Sequence, residues 1–130
     1  MKTILLCIDT SVERTKTQVA SITRQPFEES QTTVHIYHVF RSDGENADVE
    51  SLSSVKKATE LLEEEGFTVE VSQSGGDPAR DIIEKAETLE AESISLVSRK
   101  RTPTGKALFG SVTQQVILES DTPVLVCTPK

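Results

Sequence analysis

Tryptophan is absent from this 130-residue chain, which also holds a single tyrosine, a single methionine and four phenylalanines. With aromatics at 4%, side chains that could sandwich a flavin ring are scarce. Six glycines and five prolines are too few for a fibrous or low-complexity protein. The longest apolar run, Ile4–Ile8, is far too short to span a bilayer. Positive charge is in deficit: 14 Lys and Arg stand against 21 Asp and Glu, for a net charge of −7. Such a surface repels DNA, RNA and anionic membranes, which argues against nucleic-acid and membrane partners. The two cysteines, Cys7 and Cys127, sit inside apolar runs and read as small core residues rather than as a disulfide or a reactive thiol. The chain opens Met1-Lys2-Thr3-Ile4 with no small-residue cleavage site behind it, so a cytoplasmic protein is expected.

What is present suffices for one core, and residues 1–130 read as a single domain, 35% apolar and 27% charged. Five short apolar segments read as strands: Ile4–Asp9, Val34–Phe40, Thr68–Ser72, Ser93–Ser98 and Val124–Thr128. The first, fourth and fifth are nearly continuous in apolar or small residues, as strands buried on both faces are. Helical periodicity lies between them. Its clearest stretch puts Val49, Leu52, Val55, Ala58, Leu61 and Leu62 on one stripe, with Gly66 placed to end the helix. Asp77 and Pro78 start a third helix, with Ile82, Ile83, Ala86 and Leu89 as its buried face. A fourth runs from Ser111 to Glu119 with Val112, Val116 and Ile117 inward, and Asp121-Thr122-Pro123 stops it. The first helix, Val12 to Thr23, is weakly patterned. This alternation predicts an α/β domain: a doubly wound, five-stranded parallel sheet with right-handed crossovers and helices on both faces. Ligands in such folds sit beyond the carboxyl ends of the strands, where strand order reverses.

Four loops occupy those positions: Asp9-Thr10-Ser11, Phe40-Arg41-Ser42, Gly75-Gly76-Asp77 and Ser98 to Lys106. The last holds four cations (Arg99, Lys100, Arg101 and Lys106) and no acid, and leads into Gly110-Ser111 at a helix start. Free backbone N–H groups there attract anions, so the loop reads either as a phosphate site or as a basic surface balancing nearby acids. Asp9 is the one carboxylate in a privileged place; a ribose hydroxyl, a metal or the cap of the next helix all suit it.

Sharper motifs fail. Lys100 stands where a P-loop needs its first glycine, and Ala107 replaces the magnesium-binding hydroxyl. No Gly-x-Gly-x-x-Gly follows the first strand. His35 and His38, three apart on a strand, point to opposite faces and share no metal. No Ser-His-Asp or Cys-His arrangement emerges, so no catalytic residue and no metal site are assigned.

Ile4-Leu5-Leu6-Cys7-Ile8-Asp9, Val34-His35-Ile36-Tyr37-His38-Val39, Gly76-Asp77-Pro78-Ala79 before Ile82-Ile83, and Gly110-Ser111-Val112 with Pro123-Val124-Leu125-Val126 are together specific. On these the chain resembles the universal stress protein family over essentially its whole length. The resemblance implies an adenine nucleotide alpha hydrolase-like fold with strand order 3-2-1-4-5. It also implies a homodimer through the last strand, Val124–Thr128, and a cytoplasmic stress-response binding or signalling role. By resemblance Asp9 meets the ribose, Val39 the adenine, and Gly110, Ser111 and Val112 the phosphates, with Ser98 and Lys100 in the preceding loop. One branch of the family binds ATP and another does not. The binding branch carries two glycines three apart, then a third ten residues later followed by Ser or Thr. Counting back from Gly110 puts Val97 and Lys100 at the early glycines, and a one-residue shift puts Ser98 and Arg101 there. Both glycines are missing, so side chains crowd the phosphate approach while added cations supply charge. No cofactor is required on this reading; ATP or AMP, with Mg, is the implied ligand class, held weakly.

The alternative from another class is an adenine-nucleotide hydrolase of the same superfamily, but no residue reads as a water-activating base near the proposed phosphates. Thr10, Ser11 and Thr15 after the first strand prompt a flavodoxin-like redox reading. Glu13 opposes it by repelling a flavin phosphate.

Overall fold

The computed structural model describes residues 1–40, 48–98 and 109–129. In chain order the elements are β1 (Lys2–Cys7), α1 (Val12–Thr23), β2 (Thr32–Phe40), α2 (Ser53–Glu64), β3 (Thr68–Gly75), α3 (Pro78–Leu89), β4 (Ser93–Val97), α4 (Ser111–Glu119) and β5 (Val124–Cys127). The strands form one sheet in the order β3-β2-β1-β4-β5, and every neighbouring pair is parallel. The doubly wound sheet and its 3-2-1-4-5 order are therefore as expected.

Two cores flank the sheet. Under α1 and α2 lie Ile4, Leu6, Val34 and Ile36 with Ile22 and Leu62. Under α3 and α4 lie Leu5, Cys7 and Ile94 with Ile82 and Val116. Alternate residues of β1 feed opposite cores, which is why its inner positions are apolar without interruption. Among the described residues no helix is long and apolar enough to cross a membrane.

Element ends depart from the apolar runs for identifiable reasons. β1 stops at Cys7 rather than Asp9, although Ile8 N–H still donates to Tyr37 O at 3.1 Å. β3 continues past Ser72, because Gln73, Ser74 and Gly75 keep pairing with His38, Val39 and Phe40 where no apolar signal marks them. The second helical stretch breaks at Leu52, whose ψ of 132° is extended; Val49–Ser51 is a separate 3-10 turn. Gly66 follows α2 at φ +99°, the turn expected of it.

α1 is weakly patterned because its inward face is largely polar, with Thr15, Gln18 and Ser21 beside Val19 and Ile22. The expected inward position of Ile117 is corrected. Val116 is fully buried and Val112 half-buried, whereas Ile117 is 43% exposed and Leu118 83%. Val112 and Val116 take the single inward stripe, and Ile117 lies about 100° around the helix from Val116. Both cysteines are free thiols, Cys7 buried and Cys127 half-buried.

Candidate functional site

Leu6 and Ser95 form the last registered pair between β1 and β4, and beyond them the strands part. α1 departs from β1 on one face of the sheet, and α4 stands by β4 on the other. Between them opens a cleft of about 680 Å³, a size that suits a small molecule. It is at the switch point, where the fold rule places a ligand.

One wall is the loop from β1 into α1. Asp9 Oδ1 accepts the Ser11 N–H at 2.8 Å, and Oδ2 accepts Arg14 Nε at 2.6 Å. The Asp9 carbonyl accepts Ser54 Oγ–H at 2.7 Å, which ties this loop to α2. Capping of α1 falls to Ser11, whose Oγ accepts the Arg14 N–H at 3.2 Å; the cap alternative for Asp9 is thereby removed. Asp9 and Arg14 are the charged residues of the described lining.

The facing wall is the start of α4, where Gly110, Ser111, Val112 and Thr113 border the cleft. Ser11 caps α1 and Asp77 caps α3 with side-chain oxygens, but the N-cap of α4 is Gly110, and among the described residues no side chain caps it. The first turn of a helix carries N–H groups without intrahelical partners, and the helix dipole there favours an anion. Ser98, buried at the end of β4, lines the floor and its N–H donates to Cys127 O at 2.9 Å.

The ends of β1 and β2 complete the site. Val39 is half-buried and borders the cleft. His38 donates from Nδ1 to Ile8 O at 2.7 Å, since a carbonyl only accepts. Its ring meets Phe40 edge-on, with centroids 4.6 Å apart. Tyr37 Oη–H donates to Ser74 Oγ at 2.8 Å, and Ser74 Oγ–H donates to Asp81 Oδ2 at 2.8 Å. Burial raises the Tyr37 pKa against an opposing Ser74 bond, and the negative charges of Asp81 and Glu84 add to the rise. Burial pushes the Cys7 thiol far above its usual range, so it offers no thiolate nucleophile to the cleft.

Asp9, Val39, Ser98, Gly110, Ser111 and Val112 are brought to this one cleft. Lys100 and the rest of the basic run to Lys106 lie outside the described residues. Arg14, Tyr37, His38 and Thr113 also line the cleft, although the sequence reading assigned none of them to the site. His35 and His38 fall on opposite faces, His35 Nε2 being 2.6 Å from Ser72 Oγ. Among the described residues no three His, Cys, Asp or Glu side chains gather as metal ligands.

The chain belongs to the universal stress protein family, whose model matches residues 1–128. A universal stress protein of Mycolicibacterium smegmatis is 33% identical over 91 residues, 69% of this chain and 63% of that protein. The chain spans 43% to 63% of the length of the curated relatives it matches. Among solved structures, a universal stress protein from Archaeoglobus fulgidus is 27% identical with a TM-score of 0.74, covering 97% of this chain and 98% of that one. A universal stress protein solved in complex with cAMP has the same fold at 20% identity and a TM-score of 0.74, covering 99% and 98%.

Proposed function

We propose that this universal stress protein binds an adenine nucleotide in the cleft between β1 and β4 and serves as a homodimeric binding module of a cytoplasmic stress response. The observation that carries the reading is the N-terminus of α4, which has no side-chain cap among the described residues, standing across the cleft from Asp9. One wall suits phosphate and the other suits ribose hydroxyls, since a carboxylate engaged by one donor per oxygen keeps lone pairs for more. Val39 offers an apolar surface to the base between them. That a protein of this fold holds cAMP supports adenine as the base, and the residues of this cleft supply the rest.

Gly110, Ser111 and Val112 receive the phosphates on this reading, and Lys100 with its neighbouring cations adds charge rather than backbone donors. A Mg ion would arrive on the phosphates of ATP, a common way for that ion to bind. Charge held on long side chains is screened by salt, so affinity no tighter than about micromolar, falling with ionic strength, is expected.

The test is mass spectrometry of small molecules released from the freshly purified protein, with calorimetric titration of AMP and ATP at low and high salt. Release of either nucleotide, or binding that Asp9→Ala weakens, supports the reading. Neither release nor binding at low salt overturns it.

A further inference from the structure

Arg14 stands where a helix seldom favours a cation. With Ser11 as the N-cap of α1, Arg14 is the third helical residue, inside the turn whose dipole favours acids. A Glu or Gln at that position would close a capping box. The structure offsets the misplaced charge with Asp9, which takes the Arg14 Nε–H at 2.6 Å. Only Nε is used. Nη1 and Nη2 make no hydrogen bond to a described residue, and Arg14 lines the cleft beside Asp9. A guanidinium with its terminal nitrogens unoccupied is a fork for two oxygens of a phosphate.

The cleft therefore has two anion-seeking poles on opposite faces of the sheet. The α4 pole takes the 5′-phosphate on the reading above; Arg14 stands at the other pole, beside the carboxylate assigned to the ribose. A lone carboxylate there would repel a phosphorylated ribose. The Asp9–Arg14 pair has no net charge and presents the fork instead. In dinucleotide-binding folds an acid at the ribose selects a free hydroxyl, whereas an arginine accommodates a ribose phosphate.

We propose that Arg14 makes this cleft selective for adenine nucleotides that carry a phosphate on the ribose ring, at the 2′ or 3′ oxygen, in addition to the 5′-phosphate. The inference rests on the nucleotide reading of the cleft. Its test titrates 5′-AMP, adenosine 2′,5′-bisphosphate and adenosine 3′,5′-bisphosphate into the wild-type protein, Arg14→Gln and Arg14→Lys. At low salt, one bisphosphate is expected to bind the wild type about tenfold tighter than 5′-AMP. In Arg14→Gln that ratio falls to near one, and Arg14→Lys, with charge but no fork, keeps part of it. The side chain is 36% exposed, so the fold should tolerate both changes, and thermal melting of each variant checks this. A wild-type ratio near one, or a preference that survives Arg14→Gln, overturns the inference while 5′-AMP binding leaves the nucleotide reading standing. Binding of none of the three ligands, with no binding of ATP either, overturns both. Which bisphosphate is preferred identifies the ribose oxygen.

Discussion

The side-chain amide of Gln18, fully buried on α1, donates to the carbonyl of Cys7 at 2.9 Å and reaches that of Ser95 at 3.4 Å. One carbonyl belongs to β1 and the other to β4, at the place where the two strands stop pairing and the cleft begins. Gln18 thus bridges the two strands where their ladder ends, supplying a buried donor at the point where they part. Replacing it with Leu removes both bonds and also the unpartnered Gln18 Oε1. Gln18→Leu is expected to lose about 1–2 kcal/mol of stability. Denaturant unfolding measures this, and an unchanged midpoint would contradict it.

Glu90 ends α3 in the left-handed region, at φ 52° and ψ 46°, a conformation that costs a residue with a Cβ about 1–2 kcal/mol. Glycine adopts it freely but loses more entropy on folding, about 0.5–1 kcal/mol. Glu90→Gly should raise stability by about 0.5–1 kcal/mol, and Gly66→Ala, at φ +99°, should lower it by a similar amount or more. Paired thermal melts read the two signs.

His35 is buried, with Nδ1 unpartnered. Burial first, and then the charge of Lys85, lower its pKa below the ordinary 6.5, against an opposing pull from Glu70. The unfolded chain therefore takes up this proton before the folded one as pH falls. Stability contributed above about pH 6.5 is lost as the pH drops through the lower folded-state value. The stability advantage of the wild type over His35→Gln should shrink as the pH falls below about 7. A pH-independent difference would sink the idea.

β5 is an uncharged edge of four half-buried residues, whereas the opposite edge, β3, carries Glu70 and a run of polar residues. An edge without charge is the one that invites a second chain, and antiparallel pairing would close a two-fold dimer. Sedimentation at about micromolar protein should give about twice 14.2 kDa, and a persistent monomer would contradict it.

Sequence alone determined the order of the elements, because the signals involved are local. The apolar runs of β1, β4 and β5, the Asp77-Pro78 start of α3, the Gly66 stop after α2 and the span of α4 all depend on neighbours within a few residues. The resemblance carried strand order and brought Asp9, Val39 and Gly110–Val112 together. Only tertiary structure decided the rest. Ser74 gains strand geometry and a place between Tyr37 and Asp81 by lying against Val39, which no feature of its own segment announces. Gln18 and Arg14 look like ordinary surface residues of a poorly patterned helix. One is buried where β1 and β4 part, and the other turns back to Asp9 along one wall of the cleft. A polar side chain takes its role from the acceptors it meets, and those acceptors come from chain segments far away in sequence.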